Sequence, residues 1–282
     1  MSRYLDNAAG RLHELVTAFR RNSGTGTIPQ AWSAVLGGAS IDDPDFLRRI
    51  AYVFRLPEEI ERELSQVDEG EFESDLARRW QGSIPPRLGP AFFSGQQSGQ
   101  ISGSFDDASL MSLEYCSYVL HRYRPQRYVS DSEVERIRML IEELQAEVTD
   151  QPGLDPDLRD FLSFHVNAMQ QALLDLAVRG PAALEDALDR AVGAAQRRTD
   201  LTVKADSNSS AWTKFGSIII AVAAVLQIAT SSLALPSQIR GELEGPPSPT
   251  PVVVKVIQEP PEAPVPQIAH NAERVTESGG SG

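Results

Sequence analysis

Hydrophobic positions along this chain recur mostly at steps of three and four, the period of a helix packed on one side. Over residues 3–21, Leu5, Leu12, Leu15, Val16 and Phe19 keep that spacing, and the Asn-Ser-Gly-Thr-Gly from Asn22 ends it. Asp43-Pro44 reads as a helix start with Phe46, Leu47, Ile50, Val53 and Phe54 as its apolar stripe, and Pro57-Glu58-Glu59 reads as a second start carrying Ile60 and Leu64. Asp106-Asp107 opens a helix through Arg122 that buries Leu110, Leu113, Val119 and Leu120. From Asp131 the seam Val134, Ile137, Ile141, Leu144, Val148 alternates three and four until Pro152-Gly153 breaks it. Asp155-Pro156 starts the next helix, with Leu158, Phe161, Leu162, Met169, Leu173 and Leu176 on one face. It stops at Gly180, and Pro181 begins a successor with Leu184, Leu188, Ala191 and Val192. Gly after one helix and Pro opening the next predict an αα-hairpin. No run alternates with period two, so the predicted class is all-α.

The pattern changes at Phe215. From there to Leu235 the chain reads FGSIIIAVAAVLQIATSSLAL, and no charge stands between Lys214 and Arg240. At about 1.5 Å per residue this run covers roughly 30 Å, the thickness of a bilayer's hydrocarbon core. Trp212 and Lys214 flank it on one side and Pro236 stops it on the other, which predicts one C-terminal transmembrane helix over residues 212–236. Phe215 heads the span, and Ile218, Ile219, Ile220, Val222, Val225, Leu226, Ile228, Leu233 and Leu235 drive insertion by roughly 3–5 kcal/mol in sum. The alternative is a helix buried in a bundle, apolar all round because its neighbours cover it. Ser217, Ala221, Ala229 and Ser232 form a stripe of small residues suited to helix association in lipid, with Gln227 beside it as a hydrogen-bonding group. Arg197, Arg198, Lys204 and Lys214 precede the run, whereas Arg240 and Lys255 follow it, so the N-terminal side is expected in the cytoplasm of a single-pass cell-membrane protein.

These signals divide the 282 residues into a short-helix region at 1–83, a Gly/Ser/Gln linker at 84–104 and a helical bundle at 105–200. A short linker at 201–211, the span, and a disordered Pro-rich tail at 237–282 complete the expected order. Net charge is −13, which argues against a nucleic-acid partner. Nine acids crowd Glu58 to Asp75 and read as a solvated helical face. Cys116 is the single cysteine, so no intrachain disulfide is possible.

Catalytic signatures are few. His13-Glu14 lacks the second histidine of a zinc-protease helix, because Thr17 stands in its place, and no metal ligand set or cofactor loop is present. Tyr118, Tyr123 and Tyr128 interleave with Arg122, Arg124 and Arg127, and on this acidic chain they read as a helix terminus with ordinary arginines. Arg159 and His165 resemble the R-x(4–6)-H arrangement of HEPN-type ribonucleases, which are all-α and often serve bacterial defence. That resemblance implies RNA cleavage with His165 as acid or base and Arg159 on phosphate. One continuous helix would hold the two about 240° apart, and His165 falls on the apolar face with Leu162 and Met169. More broadly, DPDLRDFLSFHVNAMQQALLDLAVRGPAALEDALDRAVGAA with the hydrophobic helix after it resembles uncharacterised bacterial α-helical proteins with a C-terminal membrane-like helix, over residues 130–235. It implies no activity. The expected function is a membrane-anchored, non-enzymatic adaptor, sensor or regulatory protein, with membrane lipid and protein partners and self-association. The alternatives are a membrane-perturbing effector of a bacterial defence system and the HEPN-like nuclease.

Overall fold

Local chemistry sets most of the helix starts. Asn7 accepts from the backbone N–H of Gly10 at 3.0 Å and opens α1 (Ala8–Asn22). The side chain of Gln30 accepts from Thr27 N–H at 2.8 Å at the start of α2 (Ile28–Leu36). Asp43 and Asp106 cap α3 (Pro44–Leu64) and α7 (Asp107–Tyr123) through Asp45 N–H at 2.9 Å and Ser109 N–H at 2.6 Å. Ser130 and Glu133 form a capping box for α8 (Asp131–Asp150), one residue before the start expected at Asp131, and Asp155 caps α9 (Pro156–Arg179). Pro181 precedes α10 (Ala182–Arg197), and Gly180 between them has φ +62°, so the αα-hairpin forms where the Gly-Pro punctuation places it. The last helix among the described residues, α11, runs Ser209–Val225.

These elements come from a computed structural model, which describes residues 6–24, 26–38, 40–198, 200–201 and 209–228. The described residues are all-helical apart from one isolated bridge between Thr27 and Gln97. They enclose two apolar cores. The first gathers α1, α2, α3 and α7 around Phe19, which stacks on Trp32 with ring centroids 4.8 Å apart and meets Phe105 edge-on at 5.8 Å. The second is built by α8, α9, α10 and α11, with Ile137, Ile141, Leu144 and Val148 of the heptad seam all buried.

Three expectations change. Pro57 does not start a helix; α3 continues through it to Leu64. A proline inside a helix forfeits one backbone hydrogen bond, but Val53, Leu56, Ile60 and Leu64 on both sides are buried in the same core and hold the rod together. Residues 84–104 are not a flexible linker. They carry α5 (Ile84–Phe92) and α6 (Ser98–Ser102), and Ile84, Leu88, Phe92 and Ile101 are buried in the first core. Glycine and proline content hid a sparse apolar pattern that only long-range burial reveals. Two 3-10 turns (Glu69–Glu71 and Arg79–Gly82) and α4 (Ser74–Arg78) precede them, with Trp80 fully buried. Finally, α7 packs in the first core through Leu113, Cys116 and Leu120, so the change from one core to the other falls after Tyr123, not at the glycine-rich stretch.

Candidate functional site

The most unusual element is α11 in its cradle. Trp212, Phe215, Ile218, Ile219 and Val222 face inward and are buried against α8, α9 and α10. Phe215 meets Phe161 of α9 edge-on at 5.8 Å, and Trp212 lies 6.0 Å from the same ring. Burying Phe215, Ile218, Ile219, Val222 and Val225 contributes roughly 8–15 kcal/mol gross, as an upper bound. One ion pair ties α11 to α8: Lys214 Nζ donates to Glu147 Oε2 at 2.6 Å. Burial opposes ionisation of Glu147, yet the bonds from Lys214 and Ser210 outweigh it and hold the carboxyl below its ordinary range.

Beyond the half-exposed Lys214, the outward positions of α11 that follow carry no charge. Ser217 and Ile220 are half-buried and Ala224 and Gln227 exposed, with Ser217 donating back to Thr213 O at 3.1 Å. Neighbouring helices expose the usual ions instead: Glu135, Arg136, Arg138, Glu142 and Glu143 on α8, and Glu185, Asp186, Asp189 and Arg190 on α10. The helix ends early. Gln227 sits at φ +56°, Gln227 N–H bonds Ala224 O at 3.1 Å and Ile228 N–H bonds Ala223 O at 2.9 Å, the paired closure of a Schellman cap with glutamine where glycine is usual. No helix among the described residues is long and apolar enough to cross a membrane. Of the expected span 212–236, residues 212–225 are helix, and the half-buried Leu226 and Ile228 pack on the second core beyond it. Ala229, Ser232, Leu233 and Leu235 lie outside the described residues, as does the whole tail 237–282. The small-residue stripe is divided, since Ala221 is buried in the bundle while Ser217 and Gln227 look outward.

Arg159 and His165 serve separate ends. Arg159 Nη2 donates to Gln151 O at 2.6 Å, closing the turn after α8. His165 is buried between Phe161 (4.5 Å), Phe164 (5.1 Å) and Phe215 (6.3 Å), and its Nδ1 has no hydrogen-bond partner. Burial, then the positive charges of Arg190 and Arg197, pull it down to about 4. The two side chains make no hydrogen bond to each other. The arginines near the tyrosines are likewise engaged: Arg122 lies over Tyr123, Arg124 bonds Gln66 and Arg127 bonds Glu133 at 3.1 Å.

A polar seam that the sequence pattern hides joins the two cores. Arg49 of α3, buried, donates to Asp175 of α9 at 3.1 Å, to Leu36 O at 3.0 Å and to Gln171 at 3.1 Å. Arg48 reaches the same carboxylate at 3.4 Å. Arg11 of α1 donates to Val178 O at 3.1 Å and Glu59 at 2.7 Å, so part of the acidic block is bonded and not merely solvated. The signal available was a charge at a core-facing helix position, which spacing alone does not separate from a solvated one. Among the described residues no group of three His, Cys, Asp or Glu side chains is placed to hold a metal ion.

No protein-family model matches this chain, and comparison with curated proteins and with solved structures gives no match either. The resemblance over residues 130–235 rests on residue pattern alone.

Proposed function

We propose that this protein is a membrane-tethered helical regulatory adaptor without catalysis, whose tether is the uncharged run from Phe215 to Leu235. The observation that carries this reading is the outward face of α11. A surface helix of a soluble bundle ordinarily exposes charge on its wet side, and α8 and α10 do so, whereas Ser217, Ile220, Ala224 and Gln227 offer none. A helix whose one charge, Lys214, stands near its N-terminal end and is paired is suited to both a protein groove and a bilayer. The N-terminal side would lie in the cytoplasm, where the first core supplies a helical platform for protein partners.

The test uses substitutions that the bundle tolerates and a bilayer does not. Ala224 and Gln227 are exposed, so Ala224→Arg with Gln227→Arg leaves the docked helix intact. Each arginine costs about 2.5–3.5 kcal/mol at the centre of a spanning helix. The full chain expressed in bacteria is expected to stay with carbonate-washed membranes, and the double variant to be lost from them while keeping its helical content. Equal partitioning of the two would sink the tether.

A further inference from the structure

We infer that the inward face of α11 is a bilayer-binding surface kept covered by α8, α9 and α10, with the Lys214–Glu147 pair as its latch. This rests on the tether reading above and adds how the tether is controlled. The residues that would meet lipid first, Phe215, Ile218, Ile219 and Val222, are those the bundle now buries. A single helix cannot present them to both environments, so insertion requires α11 to leave its groove.

Three features make α11 the detachable part of the second core. Its holding contacts are apolar and non-directional, apart from the bonds that Lys214, at 2.6 Å, and Ser210 make to Glu147. Lipid can replace apolar contacts like for like, because acyl chains are as apolar as leucine. Its C-terminal end is closed by a glutamine in a left-handed conformation that side-chain-bearing residues disfavour. A helical Gln227 would be free of that strain, and the sequence beyond it carries no charge before Arg240. Against release stands the groove, whose Ile141, Leu144 and Phe161 would lose their cover. The docked state therefore prevails without a membrane, and a bilayer shifts the balance by binding only the released form.

The latch is altered first from the groove side, with α11 itself unchanged. Purified full-length protein is mixed with zwitterionic phosphatidylcholine vesicles, since a chain of net charge −13 is repelled by an anionic surface, and the floated fraction is measured. Glu147→Lys, which sets like charges together, is expected to raise vesicle binding about three- to tenfold. Glu147→Lys with Lys214→Glu restores the pair and returns binding to the wild-type level, which separates latch loss from simple unfolding. Joining Lys214 to Glu147 as an amide with a carbodiimide abolishes binding. Equal flotation of all four forms, with Ala224→Arg/Gln227→Arg still unable to float, overturns the latch and leaves the tether standing. No flotation by any form, Glu147→Lys included, overturns both.

Discussion

Arg49 on α3 and Asp175 on α9 meet at 3.1 Å with both side chains almost wholly withdrawn from solvent. Removing one partner of a buried pair strands the other, at about 3–5 kcal/mol. Asp175→Ala is expected to lower stability by that amount in urea unfolding, because it orphans Arg49 and loosens Arg48. Arg49→Met combined with Asp175→Leu should recover most of it. A loss under about 1 kcal/mol for Asp175→Ala would mean that the seam is hydrated and the two cores are held by apolar contacts alone.

His165 predicts a pH dependence of definite sign. In the folded protein burial and the nearby Arg190 and Arg197 hold it neutral down to about 4, against 6.5 in the unfolded chain. Above 6.5 neither state is protonated and stability does not change on this account. Between 6.5 and 4 only the unfolded state takes up the proton, so stability falls as pH drops, by roughly 3 kcal/mol in all. His165→Leu should flatten that slope when urea midpoints are compared at several pH values. An unchanged slope in the variant would place the proton uptake elsewhere.

Gly180 combines φ +62° and ψ −156° with the Arg11 side chain 2.6 Å from where a Cβ would stand. Gly180→Ala is therefore strained twice, in the backbone and against a buried arginine that cannot move without breaking its bond to Val178 O. It is expected to cost about 2 kcal/mol or more and to lower Tm by about 4–8 °C. A neutral effect on the melting curve would show that the hairpin has room to turn.

Cys116 lies in the first core, where burial, reinforced by Glu61 and Glu63, pushes its thiol far above the ordinary range. An aromatic disulfide reagent should leave it unlabelled in the native protein and label one thiol per chain in denaturant. Native labelling within minutes would show that the first core opens readily.

How legible was all this? Helix starts at Asp43, Asp106 and Asp155 and the hairpin at Gly180-Pro181 were readable, because capping and punctuation are local chemistry written in one or two residues. The heptad seam of α8 was readable too, since four of its five members are buried. What failed were places where distant packing overrides a local signal. Pro57 looked like a start and lies inside α3; Ile84, Leu88 and Phe92 sat among prolines and glycines and proved to be core. The inward turn of Arg49 and Asp175 depends on a partner more than a hundred residues away. The apolar run was plain to see, but hydropathy cannot tell a lipid face from a groove face, as both demand the same side chains.

On this account α11 belongs to the second core until a bilayer takes it. Backbone hydrogen exchange of the full chain, followed at residues 215–225 without and then with phosphatidylcholine vesicles, tests this most directly. Without vesicles these amides should exchange as slowly as Ile141 to Val148 of α8, and with vesicles the groove residues of α8 should lose protection while α11 keeps its own. Amides of α11 that exchange within seconds in the vesicle-free protein would contradict the stored helix.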